Sequence, residues 1–267
     1  MGRDGNHKYH DRVAGKYDDL YDTPYWRFYR DVSWRHLKSY IPERRPAFAA
    51  DLGCGTGWFG MRLLKAGCHV TFLDLSGKMV EAARAAVEQQ GARGLEVRFV
   101  QAGLEEMGEI ASGSLDFATA QGDPLSFCEE RARALAELAR VVKPGGAVVL
   151  SVDNRVAGVR SLLGEKSPDA AIELMKTGRT RWRGERAEER FGMKMFEPDE
   201  LASLLRRAGF DVASMIAKTV LVQRSNESWL EDPRTMRELI AAEERVHGDR
   251  AWFGLAGHLQ VAARRAA

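Results

Sequence analysis

Cysteine is scarce in this sequence: Cys54, Cys68 and Cys128 are the whole supply in 267 residues. They show neither the pairing nor the close spacing of a disulfide framework or a zinc site, so they read as reduced thiols of a cytoplasmic protein. The six histidines are scattered, with no i, i+4 pair of them to hold a metal on one helix face. Charge of one sign is also lacking. Lys and Arg number 40 against 38 for Asp and Glu, a net charge of +2, too even to argue for nucleic acid or a membrane surface as partner. No run approaches the roughly 18 apolar residues that span a bilayer, and the polar start, MGRDGNHKYHDR, is followed by no apolar stretch, so the reading is of a chain neither exported nor embedded. There is no internal repeat and no low-complexity tract.

What is present is a chain with 45% hydrophobic residues, enough for one sizeable buried core with an added cap. Helical spacing of aromatic and aliphatic residues predicts one N-terminal helix from about Tyr9 to Tyr21 and a second from about Tyr25 to Tyr40, with Pro24 as the stop between them. Short apolar runs then alternate with amphipathic stretches: AFAADLG, Trp58 to Lys65, HVTFLDL, Gly77 to Gln90, LEVRFVQA, LDFATA, Glu129 to Val142 and AVVLSV. Such alternation predicts parallel β-α units covered on both faces. The stretch 153–196 breaks the rhythm and reads as two short helices plus a loop, inserted over one edge of a site. Regular structure resumes with PDELASLLRRAGF, where Pro198 suits a first helical position and Gly209 a helix end. A long strand, DVASMIAKTVLVQ, follows, then a helix from about Pro233 to Val246 and a last short strand, HLQVAA.

DLGCGTGWFG, Asp51 to Gly60, places a glycine-rich turn directly after the first core strand and before a helix, where a doubly wound sheet binds a nucleotide. Gly55, Gly57 and Gly60 also satisfy the G-x-G-x-x-G dinucleotide pattern, so the turn alone does not choose between ligands. Asp74 ends the next strand at the position where an acid accepts hydrogen bonds from ribose hydroxyls, which both kinds of ligand carry. Asp51 is the discriminating residue: a carboxylate at the mouth of the turn would repel a pyrophosphate and attract an ammonium or a sulfonium.

Together these segments resemble the class I S-adenosylmethionine-dependent methyltransferases. DLGCGTGWFG is similar to the family's first motif, Asp74 to the acid that ends its second strand, LDFATAQGDP to its fourth strand, and VVKPGG to the turn before its fifth; the likeness runs from about Phe48 to Val152. It implies a Rossmann-like, mostly parallel seven-stranded sheet whose last strand is antiparallel, a helical cap over residues 1–42, a core over 43–267 and S-adenosyl-L-methionine as cofactor. It also implies that Asp51, Gly53, Cys54 and Gly55 lie at the methionine end, that Asp74 holds the ribose, that Leu75 flanks the adenine, and that Met79 is placed to pack on it, although a Met on an amphipathic helix more often fills core. One departure from the family stands out: the acid usual after the third strand is replaced by Gly103, so adenine is left to stacking and to the main chain of Gly103 and Leu104, or to Glu105 if the loop is shifted.

A methyltransferase needs only to hold a nucleophile in line with the activated methyl group and to exclude water, with a base where the nucleophile carries a proton. After the fourth strand, QGDPLSF puts Gln121 and Asp123 at the sheet edge, and Asp123 is the leading polar candidate for the acceptor side. The resemblance also brings Tyr17, from AGKYDDLYD, over the methyl-donor pocket. GRTRWRGERAEER, with five arginines around Trp182, offers a grip for an anion but reads first as a solvated face, because Glu185, Glu188 and Glu189 balance it. The aromatic N-terminal segment suggests a partly apolar small-molecule substrate for a monomer or homodimer. The rival readings are a nicotinamide-dependent oxidoreductase, an RNA methyltransferase and a cofactor-binding regulator without methyl transfer.

Overall fold

A computed structural model describes residues 2–182 and 185–267. The N-terminal segment forms α1 (Gly2–Val13), a short 3-10 turn over Ala14–Lys16, α2 (Tyr17–Leu20) and α3 (Pro24–Lys38). Alternating β-α units follow: β1 (Ala47–Leu52), α4 (Trp58–Lys65), β2 (Cys68–Asp74), α5 (Gly77–Gln90), β3 (Val97–Gln101), β4 (Leu115–Ala120), α6 (Pro124–Phe127), α7 (Arg131–Val141) and β5 (Val142–Asp153). The insertion holds α8 (Arg155–Gly164), α9 (Pro168–Thr177), β6 (Arg179–Trp182) and β7 (Phe191–Lys194). The chain closes with α10 (Pro198–Arg207), β8 (Phe210–Lys218), α11 (Pro233–Val246) and β9 (His258–Arg265).

Strand order in the main sheet is β3-β2-β1-β4-β5-β9-β8. The five strands from β3 to β5 run parallel, and β9 lies antiparallel between β5 and β8, as the resemblance implied. The central strands read as near-continuous apolar runs because helices cover both of their faces: in β4, Phe117, Ala118 and Ala120 are all fully buried. After β1 the chain winds outward through β2 and β3, then returns to β4 on the other side. The loops that follow β1 and β4 therefore diverge and leave a crevice at the carboxyl ends of the strands.

The structure departs from the sequence reading at three places. α1 begins well before Tyr9 and is broken at Ala14–Lys16, beside Gly15, and Pro24 opens α3 at its first turn instead of merely ending a helix. The strand expected to run on through Thr219 to Gln223 stops at Lys218, where Thr219 takes a left-handed backbone (φ 61°). The loop expected in the insertion is a hairpin, with Trp182 opposite Phe191.

α3 is fastened to the edge of the sheet by a buried polar knot. Gln260 on β9 donates to His36 Nδ1 at 2.9 Å, while His36 Nε2 lies 2.7 Å from Ser214 Oγ on β8, which also accepts from the Tyr40 hydroxyl at 2.6 Å. A ring nitrogen that accepts from Gln260 cannot carry a proton, and burial, reinforced by His247 and Lys218, pushes the His36 pKa down to about 4. Between pH 6.5 and 4 the unfolded chain therefore binds a proton that the folded chain refuses. Stability present above pH 6.5 is expected to fall by on the order of 3 kcal/mol as pH drops through that window. Urea denaturation at neutral pH and at pH 4.5 checks this, with His36→Gln expected to be the less pH-sensitive of the two proteins.

Candidate active site

The glycine turn hangs from β2. The Gly53 and Cys54 amides both donate to the Leu73 carbonyl, at 2.7 and 2.9 Å, and the Gly55 amide donates to Asp74 Oδ2 at 2.9 Å. Asp74 also accepts from the Ser76 amide, and burial pushes its pKa up against the pull of His10. Gly53 adopts φ 71°, and a Cβ there would sit 2.6 Å from Pro124 Cγ. At Gly60 a Cβ would sit 2.1 Å from the Phe72 ring, so the third glycine is what lets α4 lie close on the sheet.

Asp51 does not open into the crevice. It is 1% exposed, and its Oδ2 accepts from the Gly60 amide at 2.7 Å in the first turn of α4. The expected charge at the mouth of the turn is thus replaced by a buried cap, because the unpaired amides of α4 need an acceptor inside the fold. Burial pushes the Asp51 pKa up to about 8.

Two cavities meet over the turn. The smaller, about 90 Å³, is lined by Asp74, Leu75, Gly103, Leu104 and Glu105; the larger, about 300 Å³, by Tyr21, Trp26, Tyr29, Phe127, Trp182 and Phe191. Tyr17, Gly53, Gly55, Gln121 and Gly122 line both. Tyr17 stacks on Tyr21 at 4.4 Å, and its Cε1 lies 3.7 Å from where a Gly55 Cβ would be. The N-terminal segment is held there by Thr56 Oγ1 to Asp18 at 2.6 Å, Ser76 Oγ to Asp11 at 2.5 Å, and an ion pair of Arg12 with buried Glu189. Gln121 is tied through Nε2 to Thr119 and to the Val149 carbonyl, while its buried Oε1 has no partner among the described residues.

At the floor of the larger cavity, Asp123 takes a left-handed backbone (φ 66°) and brings Oδ2 to 2.7 Å from His258 Nδ1; Asp153 Oδ1 lies 3.9 Å from the same nitrogen. Burial alone would raise both carboxyls. His258 and Lys218 outweigh it at Asp123 and hold that group below the usual range, whereas Asp153, facing the Asp123 charge, is pushed up to about 7. Lys218 is fully buried, 3.8 Å above the Tyr29 ring centre, and burial drops its pKa to about 7.

Residues 49–146 match the family described as a methyltransferase domain. Over that segment the chain is similar to methyltransferase domains. It is 30% identical over 168 residues to a ubiquinone biosynthesis O-methyltransferase of Aromatoleum aromaticum, covering 62% of this chain and 64% of that one. It is 31% identical over 140 residues to a malonyl-[acyl-carrier protein] O-methyltransferase of Pectobacterium atrosepticum, covering 52% and 49%. The match thus spans less than two thirds of either relative. Among solved structures, an S-adenosylmethionine-dependent methyltransferase of Mesorhizobium loti superposes with a TM-score of 0.57 at 23% identity, over 88% of this chain and 98% of that one.

The structure gathers Gly53, Gly55, Asp74, Leu75, Gly103, Leu104 and Gln121 from the matched segment, with Tyr17 from the N-terminal helices, around the small cavity, and Cys54 and Asp123 around the large one. Met79 is absent from both linings; it is fully buried against Val13 and Ala14, filling core beneath α1. Glu105 reaches the small cavity, but its Oε1 already accepts from the Glu129 amide at 2.9 Å. From the arginine-rich segment, only Trp182 faces the large cavity among the described residues, and Arg183 lies outside them. The cations that do line it are Arg30 and Arg224. His258, Asp153, Lys218 and Arg224 went unremarked as site residues in the sequence. Gly53→Ala is expected to weaken S-adenosylhomocysteine binding by roughly 5- to 150-fold, since its strained backbone and the Pro124 clash cost on the order of 1–3 kcal/mol. Calorimetric titration checks this, with circular dichroism as the control for folding; unchanged affinity would contradict the placement of the turn.

Proposed function

We propose that the chain transfers a methyl group from S-adenosyl-L-methionine to a small, partly apolar acceptor held in the aromatic cavity. The observation that carries this reading is the meeting of the two cavities: a ligand seated in the smaller one ends at Tyr17, Gly55 and Gln121, where the larger one begins.

The residues of the small cavity fit the cofactor. Gly53 and Gly55 leave the main chain open to contact, Asp74 is an acceptor for ribose hydroxyls, Leu75 and Leu104 are apolar surface for adenine, and the unpartnered Gln121 Oε1 is an acceptor for the ammonium of the methionine part. When bound, the cofactor supplies a methyl group made electrophilic by a positively charged sulfur. The chain's own part is to hold the acceptor against the tyrosine and tryptophan rings and to keep water out with α1 and α2. Tyr17 is a wall of that site and not a base, because burial holds its hydroxyl protonated well beyond the usual range.

The nicotinamide reading is disfavoured by Asp51. A diphosphate over the start of α4 would compete with a carboxyl group already bound to the Gly60 amide. An RNA substrate is disfavoured by the near-neutral chain and by a cavity walled with rings. The named relatives, both O-methyltransferases, support an oxygen acceptor. The buried free thiols of Cys54 and Cys68 support a reducing, cytoplasmic setting, and no described helix is long and apolar enough to cross a membrane. We read the working unit as a monomer or homodimer.

Parallel calorimetric titrations with S-adenosylhomocysteine and with NAD separate the two enzyme classes. One site for S-adenosylhomocysteine and no heat from NAD is the expected result, and saturation by NAD alone overturns the reading.

A further inference from the structure

β4, β5 and β9 end together at the floor of the aromatic cavity, and each end contributes one ionisable side chain. Asp123 follows β4, Asp153 closes β5 and His258 opens β9, the last two paired in register across the sheet. Lys218, at the end of β8, is the register partner of His258 on the other side. The imidazole is packed edge-on against Tyr29 at 4.9 Å and lies 6.2 Å from the Trp26 ring. Its side chain is 13% exposed and forms part of the cavity wall. Nδ1 faces the two carboxyls, 2.7 Å from Asp123 Oδ2 and 3.9 Å from Asp153 Oδ1, a close approach that is not aligned as a hydrogen bond, and Nε2 is the ring nitrogen left for a ligand. An acceptor carboxylate behind Nδ1 fixes the tautomer that leaves Nε2 unprotonated and stabilises the imidazolium once a proton arrives.

Resting on the methyl-transfer reading, the geometry points to His258 Nε2 as the general base that takes the proton of an aryl hydroxyl acceptor, with Asp123 as its positioning residue. The aromatic walls suit a planar ring. A phenolic hydroxyl, with a pKa near 10, is protonated at neutral pH and is a poor nucleophile until a base removes its proton. In the step, an oxygen–carbon bond forms as the donor's carbon–sulfur bond breaks. The sulfur keeps that electron pair and loses its charge, the hydroxyl proton passes to Nε2, and the imidazolium then returns it to solvent.

An ammonium acceptor is the less favoured ligand, because Lys218 already faces the two carboxyls that would otherwise draw a cation. The ligand atoms of Asp123, Asp153 and His258 all lie within 4.8 Å of one another, a spacing open to a divalent cation. The buried Lys218 ammonium already supplies positive charge to both carboxyls, which favours the proton-transfer role. Groups facing the ring are Asp123 and Asp153, Lys218 from β8, Tyr25 and Tyr29 from α3, and Arg224 at the rim.

Two measurements test this. Nitrogen-15 NMR of the full chain without cofactor is expected to find His258 as the Nδ1–H tautomer, and Asp123→Asn to shift that balance toward Nε2–H; an Nε2–H tautomer in the unsubstituted chain overturns the dyad. In assays at pH 8, His258→Gln is expected to cut turnover of para-cresol by roughly 10²–10⁴-fold. Turnover of para-nitrophenol, which is ionised at that pH, is expected to fall less than about tenfold, with S-adenosylhomocysteine affinity within about twofold. Equal loss on both phenols overturns the base, and so does activity abolished by EDTA and restored by Mg²⁺. An unsubstituted chain that binds S-adenosylhomocysteine and methylates an arylalkylamine but neither phenol overturns the acceptor class. Failure to bind S-adenosylhomocysteine at all would instead sink the methyl-transfer reading, and the tautomer would then decide the dyad by itself.

Discussion

The site depends on how one turn is suspended. Three consecutive amides, those of Gly53, Cys54 and Gly55, bond to the last two residues of β2, Leu73 and Asp74, so the loop after β1 is fixed by its neighbour strand before any ligand arrives. The glycines permit this because the backbone must turn left-handed at Gly53, Gly55 and Gly57 while α4 presses close on the Phe72 ring. With the turn fixed, β1 and β4 part at the topological switch point and the crevice between their loops becomes a cavity.

The N-terminal segment converts that crevice into two chambers. The N-terminal helices touch the turn through Thr56, the end of β2 through Ser76 and the insertion through an Arg12–Glu189 pair, so the tyrosines they carry close both chambers from one side. The insertion closes the other side with Trp182 and Phe191 from its hairpin. What separates the smaller chamber from the larger is therefore a rim of Tyr17, Gly55 and Gln121, and Asp123, Asp153 and His258 gather at the floor of the larger one where three strand ends converge.

Local order made the slot legible in the sequence. A strand, a glycine turn and a helix are contiguous, so spacing pointed to the turn and to Asp74, while the parts given to Gly53, Gly55, Gly103 and Leu104 came from the resemblance. Asp51 was found but misdirected: spacing shows that an acid precedes the turn, not that the Gly60 amide will claim it. Met79 sat on a helix whose buried face is core rather than cavity. The histidine was invisible for a different reason. His258 lies far along the chain from both carboxyls, and only the antiparallel pairing of β9 with β5 sets it opposite Asp153, a register that no short motif encodes. Arg224 escaped notice because the strand expected to contain Val222 ends early and hands that stretch to a loop.

Where an adenosyl ligand sits decides how the two chambers divide their work. A crystal structure with S-adenosylhomocysteine bound should show its adenine between Leu75 and Leu104, its ribose on Asp74, and its sulfur at the rim formed by Tyr17 and Gln121, facing His258 across the aromatic cavity. Adenine lodged instead among the Trp26 and Tyr29 rings, or a sulfur turned away from that cavity, would contradict it.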